Sequence, residues 1–483
     1  MTRATIIGSG PNGLAAAVTL ARAGYEVRVL EASDTIGGGV STVDSDLSGF
    51  RFDVGSSVHP ASLASPFFRA FGLADRIDWV RPEISYAHPL DGGRAGIAWH
   101  DIRRTADGLG ADRRAWLSRL RPLSEHIDGV VDFTGNQMVR IPRDPVTAVR
   151  YAMRMLDLGT PLARLSFRTD EAAALMSGVL AHANTPLPSL AGAAAGLLLA
   201  AQAHAGGWMY PRGGAQRITD ALVADLEAHR GTIETGIRVT DLGTFDWGDP
   251  NHGDVLLLNS SPRLALTHPG IPSGYAKAIS GYRYGPGAAK VDFALDGPVP
   301  WTNPLVAQSP TVHVGGTQAE VWASENAVAK GRVSDRPYVL AVQPSVLDDT
   351  RAPKGKAVLW SYIHVPRGSD LDATELITRQ IERFAPGFRD RILAHASVPA
   401  SAREAINPAN VGGDILGGAF TIPQALARPV LSTHPWRTPM NGVYLASAST
   451  PPGPGVNGMA GWHAARTVLE DAGRPAELGQ LFG

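Results

Sequence analysis

The amino-acid sequence predicts an α/β fold, in which a parallel sheet gathered from three separated stretches of chain carries an inserted α+β unit. Three observations predict it. The first 31 residues read as strand, glycine loop, helix and strand. A Gly-Gly turn at Gly213 and Gly214 opens a second helix with one apolar face. Near the C-terminus, "GVYLASASTPPGPGVNGMAGWHAA" sets a proline- and glycine-rich loop between a strand and the last helix.

The first element is "ATIIGSGPNGLAAAVTLARAGYEVRVLEAS". Ala4 to Ile7 forms a short apolar strand, and "YEVRVLE" a second one after the helix. Between them Gly8, Gly10 and Gly13 fit G-x-G-x-x-G, with Glu31 at the end of the second strand. The three glycines allow a tight turn, close approach of backbone to a pyrophosphate, and close packing of helix on strand. A helix beginning near Pro11 and Asn12 directs its free N–H groups and positive dipole end at phosphate. Glu31 can accept from ribose hydroxyls and repels a 2′-phosphate. Strand, glycines, helix, second strand and acid all come in register, which predicts a Rossmann-like dinucleotide site.

The 483 residues suffice for two or three domain-sized cores. A formal charge of −1 provides no global field for nucleic acid, so no nucleic-acid partner is expected. There is no cysteine, which removes disulfides, thiol redox chemistry and cysteine-bound metal. Redox chemistry must then come from a bound cofactor. With no signal peptide visible after Met-Thr-Arg, a cytoplasmic location is expected. Between Glu171 and Arg212 the chain has no charged residue; its apolar part, "LAGAAAGLLLAAQAH", is too short to span a bilayer and reads as a buried helix.

Both FAD and NAD would suit the N-terminal cradle, and the following residues distinguish them. "ASDTIGGGVST", from Ala32 through Gly38, Gly39 and Val40, resembles the Gly-Gly-Arg segment of the flavin amine oxidase and phytoene desaturase superfamily, with Gly39 where the family has arginine. "GFRFDVGSSVHP" resembles the stretch leading to the flavin. "YPRGGAQRITDALVADLEAHRGTIETGIRVTDL" resembles the middle FAD segment, with Ile218, Leu222 and Leu226 on one helix face. The resemblance implies FAD as cofactor and a glutathione-reductase-type FAD-binding domain. It places Val239 beside the adenine, and Asn259 in the turn after the strand "DVLLLNSSP". It also wraps the loop Gly453 to Gly458 round the ribityl chain and ring, so that Gly455, Val456, Asn457 and Gly458 join the cofactor site. The missing arginine leaves phosphate neutralisation to the helix dipole or to an arginine from elsewhere.

By the same resemblance, residues 1–70, 207–290 and 400–483 form the FAD-binding domain, and 71–206 with 291–399 the substrate domain. The first insert reads as helix-rich. The second offers strand candidates "AKVDFALD", "TVHVGG", "AEVWASE" and "KAVLWSYIHV", which predict a sheet with helices on one face. In "GPGAAKVDFALDG", Val291, Phe293 and Leu295 alternate with Lys290, setting the lysine on the face opposite the apolar series. It resembles the lysine that contacts flavin N5 through water in amine oxidases. His463 and His364 are the other candidate catalytic residues, while His59, His182 and His204 can line a cavity or serve the core. Trp208 and Arg212 are expected near the flavin or the cavity wall. No histidine pair has metal-ligand spacing, so no metal is expected.

The resemblance implies an FAD-dependent dehydrogenase or oxidase that removes hydride from a C–H bond of a largely apolar small molecule, giving C=C or C=N. A reduced-flavin double-bond isomerase and a non-catalytic FAD-binding partner protein remain as alternatives. "VTAVRYAMRMLDLGTPLARL" mixes arginines with Met, Leu and Tyr; it reads as an amphipathic helix, with peripheral membrane contact as an open alternative. The oligomeric state stays open.

Overall fold

The computed structural model describes residues 2–138 and 140–483. Its first sheet is wholly parallel, with strand order Val443–Leu445, Val255–Leu258, Arg3–Ile7, Glu26–Leu30, Thr232–Glu234. Strands Val443–Leu445 and Val255–Leu258 are wholly buried, as parallel strands covered on both faces require, whereas Glu26, Arg28, Thr232 and Glu234 leave the opposite edge partly open to solvent. Ala4, Ile6, Val27, Val29, Val255 and Leu257 face one core. Ile7, Leu256, Leu258, Val443 and Leu445 face another. Helices Pro11–Arg22, Gln216–Ala228 and Met459–Asp471 cover the first of these faces. The helices Pro11–Arg22 and Met459–Asp471 touch at backbone level: a Cβ on Gly461 would lie 1.8 Å from the Asn12 carbonyl oxygen.

The second sheet has seven strands in the order Ile392–Val398, Gly287–Leu295, Ala357–Val365, Val339–Val342, Thr311–Val314, Ile84–Pro89, Ala95–Trp99. All its pairings are antiparallel except that of Thr311–Val314 with Ile84–Pro89. Side chains alternate between its faces. Val291, Phe293, Val312, Val339, Leu359 and Ile363 pack on one side, beneath Ile377 and Ile381 of helix Thr374–Glu382. The other side looks towards helices Asp170–Leu180 and Leu190–Ala205. Both faces are therefore covered, where the sequence pattern predicts helices on one.

One further expectation is corrected here. "AEVWASE" lies inside helix Gln318–Ala329. Thr317 and Glu320 form a capping box at its N-terminus, a start signal that outweighs the short β-like composition. The first insert is helix-rich, as its pattern predicts, and in addition supplies the hairpin Ile84–Pro89 and Ala95–Trp99 to the second sheet. The uncharged stretch does form a helix, Leu190–Ala205, with Ala193, Leu197, Ala200 and Ala201 fully buried. Among the described residues no helix is long and apolar enough to cross a membrane.

Candidate functional site

A single continuous cavity of about 920 Å³ starts at the glycine loop of the parallel sheet and ends over the second sheet. At its first end Gly8, Gly10, Pro11, Asn12, Glu31 and Ala32 line the wall, joined by Gly38, Gly39 and Val40. Val239 lines it from the loop after the strand Thr232–Glu234, and Asn259 from the turn after Val255–Leu258. Gly455, Val456 and Asn457 of the C-terminal loop complete this end. Gly13 and Gly458 stand behind the wall. A Cβ at Gly13 would come 2.1 Å from the Gly8 carbonyl oxygen, and one at Gly458 would strike Phe67 at 2.6 Å.

This end fits a dinucleotide. Gly8 has φ +97° and lies so close to Asn259 that a Cβ would sit 2.5 Å from its carbonyl oxygen. Gly10 caps helix Pro11–Arg22 without a side chain, leaving the first-turn N–H groups to a ligand. Among the described residues Glu31 forms no ion pair. Its carboxylate accepts from Ser9 N at 2.9 Å, from the Ser9 hydroxyl, and from Ser33 N at 2.9 Å, so it is oriented in advance towards the cavity. A Cβ on Gly39 would meet no atom within 4 Å, so room exists for the side chain that is missing there. Three other arginines reach the cavity: Arg238, Arg403 and Arg428. Arg428 is buried and held by the carbonyls of Ala448 and Leu416. Asn407 approaches Gly38 from the opposite side. Arg238 stands next to Val239 in the segment already singled out, whereas Arg403, Arg428 and Asn407 belong to no local motif and come from a segment far from the glycine loop.

Behind the cavity wall Asp53 links the helix start at Ala215 to Arg351 and Lys290. Its carboxylate, fully buried, accepts from Arg351 Nη2 at 2.9 Å, Thr42 Oγ1 at 2.7 Å, Ala215 N at 2.9 Å and the Ser57 hydroxyl. Burial alone would raise this carboxyl, but Arg351 and the three other donors together hold it below the ordinary carboxylate range. The Asp53 carbonyl oxygen accepts from Lys290 Nζ at 2.8 Å, and Asp292 pairs with the same amine. Lys290 and Asp292 both line the cavity, on the face opposite Val291 and Phe293. Burial lowers the Lys290 ammonium, with Asp292 countering in part, and raises the Asp292 carboxyl.

The histidines divide. His59 and His182 line the cavity. His204 is tied to Trp116 and the Trp99 carbonyl. The expectation that His364 and His463 line the cavity is corrected. His364 is one row further along its strand and bonds Glu325 of helix Gln318–Ala329 through Nδ1 at 2.8 Å. His463 lies in the first turns of helix Met459–Asp471, its ring against Trp436 and bonded to the Gly135 carbonyl at 3.1 Å. Trp208 lines the cavity, whereas Arg212 turns outward to pair with Asp349. Among the described residues no cluster of three His, Asp or Glu could hold a metal ion.

The flavin containing amine oxidoreductase family matches residues 12–469 of this chain. A phytoene dehydrogenase of Streptomyces griseus is 27% identical, over 93% of this chain and 91% of that protein. The pyridine nucleotide-disulfide oxidoreductase domain-containing protein 2 of Rattus norvegicus is 28% identical, but the match spans 55% of this chain and 52% of that protein. The crystal structure of cyclohexylamine oxidase from Brevibacterium oxydans superimposes with a TM-score of 0.61 at 16% identity, covering 98% of this chain and all of the other. That likeness is one of fold.

Proposed function

This chain belongs to the flavin containing amine oxidoreductase family and is an FAD-dependent oxidoreductase, and from that premise we propose that it removes hydride from a C–H bond of a largely apolar small molecule, leaving C=C or C=N. One observation carries the reading. The cavity that begins at the dinucleotide end runs on past Lys290 into a chamber walled by Leu198, Leu199, Leu340, Val342 and Trp208. Such a chamber excludes water and rewards burial of apolar surface. Similarity to a phytoene dehydrogenase along most of the chain supports an apolar substrate.

Bound FAD supplies the two-electron oxidant. The glycine loop, the free helix N-terminus and Glu31 would hold its adenosine diphosphate, and the loop from Gly455 to Asn457 its other half. The chain then has to receive the proton that leaves the atom next to the oxidised carbon. Lys290 suits this task, since the Asp53 carbonyl and Asp292 fix its Nζ at the cavity wall. Burial lowers its pKa, which brings the unprotonated amine within easier reach. The test is anaerobic mixing of the yellow holoprotein with apolar alkenes, terpenoids and amines. Bleaching of the flavin by one class identifies the substrate; a flavin that none of them reduces overturns the reading.

We also propose that the substrate arrives from a lipid surface. Helix Pro145–Leu158 turns Tyr151 and Met155 into the cavity, while Val146, Val149, Met153 and Leu156 stand more than half exposed along its outer face. Leu162 and Leu165 extend that apolar strip, and Arg143, Arg150 and Arg164 flank it. An apolar strip between arginines matches an anionic bilayer. Co-sedimentation with phosphatidylglycerol vesicles, lost on changing Val149 and Leu156 to serine, is the expected outcome. Vesicle binding unaffected by those changes, or a dimer that they dissolve, counts against it.

A further inference from the structure

The inner face of the second sheet is a set of rows, because residues paired across strands share a face. One row runs Ala396, Asp292, Trp360, Val342, Thr311 across five strands, and every member lines the cavity. The next runs Val398, Lys290, Tyr362, Leu340, His313. Lys290 and Asp292 thus stand towards one end and Thr311 and His313 at the other, with Trp360, Tyr362, Val342 and Leu340 between. Three strand spacings separate the ends, roughly 14 Å.

Above the far end stands His182, which lines the cavity and forms a 2.8 Å Nε2 to Nε2 hydrogen bond with His313. Only one of those nitrogens can carry the proton. Gly178 decides which. His313 Nδ1 has no partner and faces the backbone of Gly178, where even a Cβ would come within 2.8 Å of it. A proton on that nitrogen would be a buried donor without an acceptor, costlier than a lone pair against a methylene group. His313 therefore carries its proton on Nε2 and donates it to His182. His88 repeats the pattern, with Nε2 bonded to the Gly316 carbonyl and an unpartnered Nδ1 against the same glycine. His182, accepting at Nε2, must hold its own proton on Nδ1. Burial lowers His182 to about 3 and holds His313 well below its ordinary value, so both rings are neutral.

We propose that His182 Nδ1–H is a built-in donor for an oxygen acceptor on the substrate, a carbonyl, hydroxyl or ether, about 14 Å from the carbon that is oxidised beside Lys290. The substrate is then an oxygenated, elongated molecule rather than a pure hydrocarbon. Thr311, whose hydroxyl is buried without a partner, lies two residues from His313 on the same face of the strand. This rests on the oxidation reading for where the reacting carbon sits, but the donor itself does not depend on turnover.

The experiment uses the FAD-loaded protein and reads ligand binding through fluorescence of the cavity tryptophans Trp208 and Trp360. Decan-2-one should bind about tenfold more tightly than decane, and decylamine, a cation at neutral pH, more weakly than the ketone. His182→Phe should reduce the ketone preference to within about twofold, and His182→Gln should restore part of it. In parallel, ¹⁵N NMR of the unmodified protein should show His182 as the Nδ1–H tautomer, which needs no variant to fold. Equal binding of decane and decan-2-one, a preference that survives His182→Phe, or an Nε2–H tautomer each overturns the proposal. A ketone preference in a protein whose flavin no compound reduces would remove the oxidation reading and leave this one standing.

Discussion

The two ends of the cavity are built on different principles. The dinucleotide end is made of backbone: Gly8, Gly10, Gly38 and the bare start of helix Pro11–Arg22 present N–H groups, and side chains are mostly kept away. The far end is made of side chains on neighbouring strands, Trp360, Tyr362, Thr311 and Leu340, with His182 brought over them from a helix-rich stretch. Backbone architecture tolerates little substitution and binds what many proteins bind. A side-chain floor can be recut residue by residue, so it is where this chain's own specificity resides.

That contrast can be broken or sharpened experimentally. The largest effect is expected between the two ends, at Lys290. Changing it to Met should slow anaerobic flavin reduction by about 10²–10⁴-fold. As the base must be unprotonated, the wild-type rate should rise with pH through the lowered lysine pKa, and the variant should lose that rise. A variant with the unaltered pH profile assigns the proton to another group. Arg351→Met should next cost about 3–5 kcal/mol in denaturant unfolding, since it leaves Asp53 buried without its cation. The sign with pH follows from the Asp53 carboxyl being lower in the folded state. Its contribution is complete above the ordinary value of 3.8 and fades as pH falls through the lowered one. The variant should therefore gain most of its instability at neutral pH and least in acid.

Gly13→Ala should cost about 1–3 kcal/mol by overpacking and release FAD, measured as flavin recovered in the filtrate. Unchanged retention would mean that the helix can lift from the sheet without harm to the cradle. The smallest effect on stability, within about 0.5 kcal/mol, belongs to Val149→Ser and Leu156→Ser on the exposed face. Those variants should differ from the parent in vesicle binding alone.

The same division explains what could be read from the sequence. The dinucleotide end was legible because its signal is local: Gly8, Gly10, Gly13 and Glu31 lie within 24 residues, and their spacing follows from one turn and one helix. The proline–glycine loop was legible for a similar reason. Lys290 could be placed on a face by alternation within one strand. Asp53, Arg351, Arg403 and Thr311 could not, since their meaning comes from contacts between separate segments of the chain. His364 was misplaced because alternation sets its face but not how far along the sheet the cavity extends; Glu325, from another element, holds it away. His463 was misplaced because nearness in sequence to the flavin loop says nothing about which way a helix turns. The helix Gln318–Ala329 was mistaken for a strand because its Thr317–Glu320 start signal went unread.

Asp53 joins these two halves in one amino acid. Its side chain ties the helix start at Ala215 to Arg351, and its own carbonyl steadies the Lys290 amine. Whatever heat or acid does to the first attachment is transmitted through a single peptide unit to the second. Loss of turnover and loss of compactness should therefore coincide on warming, with no window in which a well-folded but inert species accumulates.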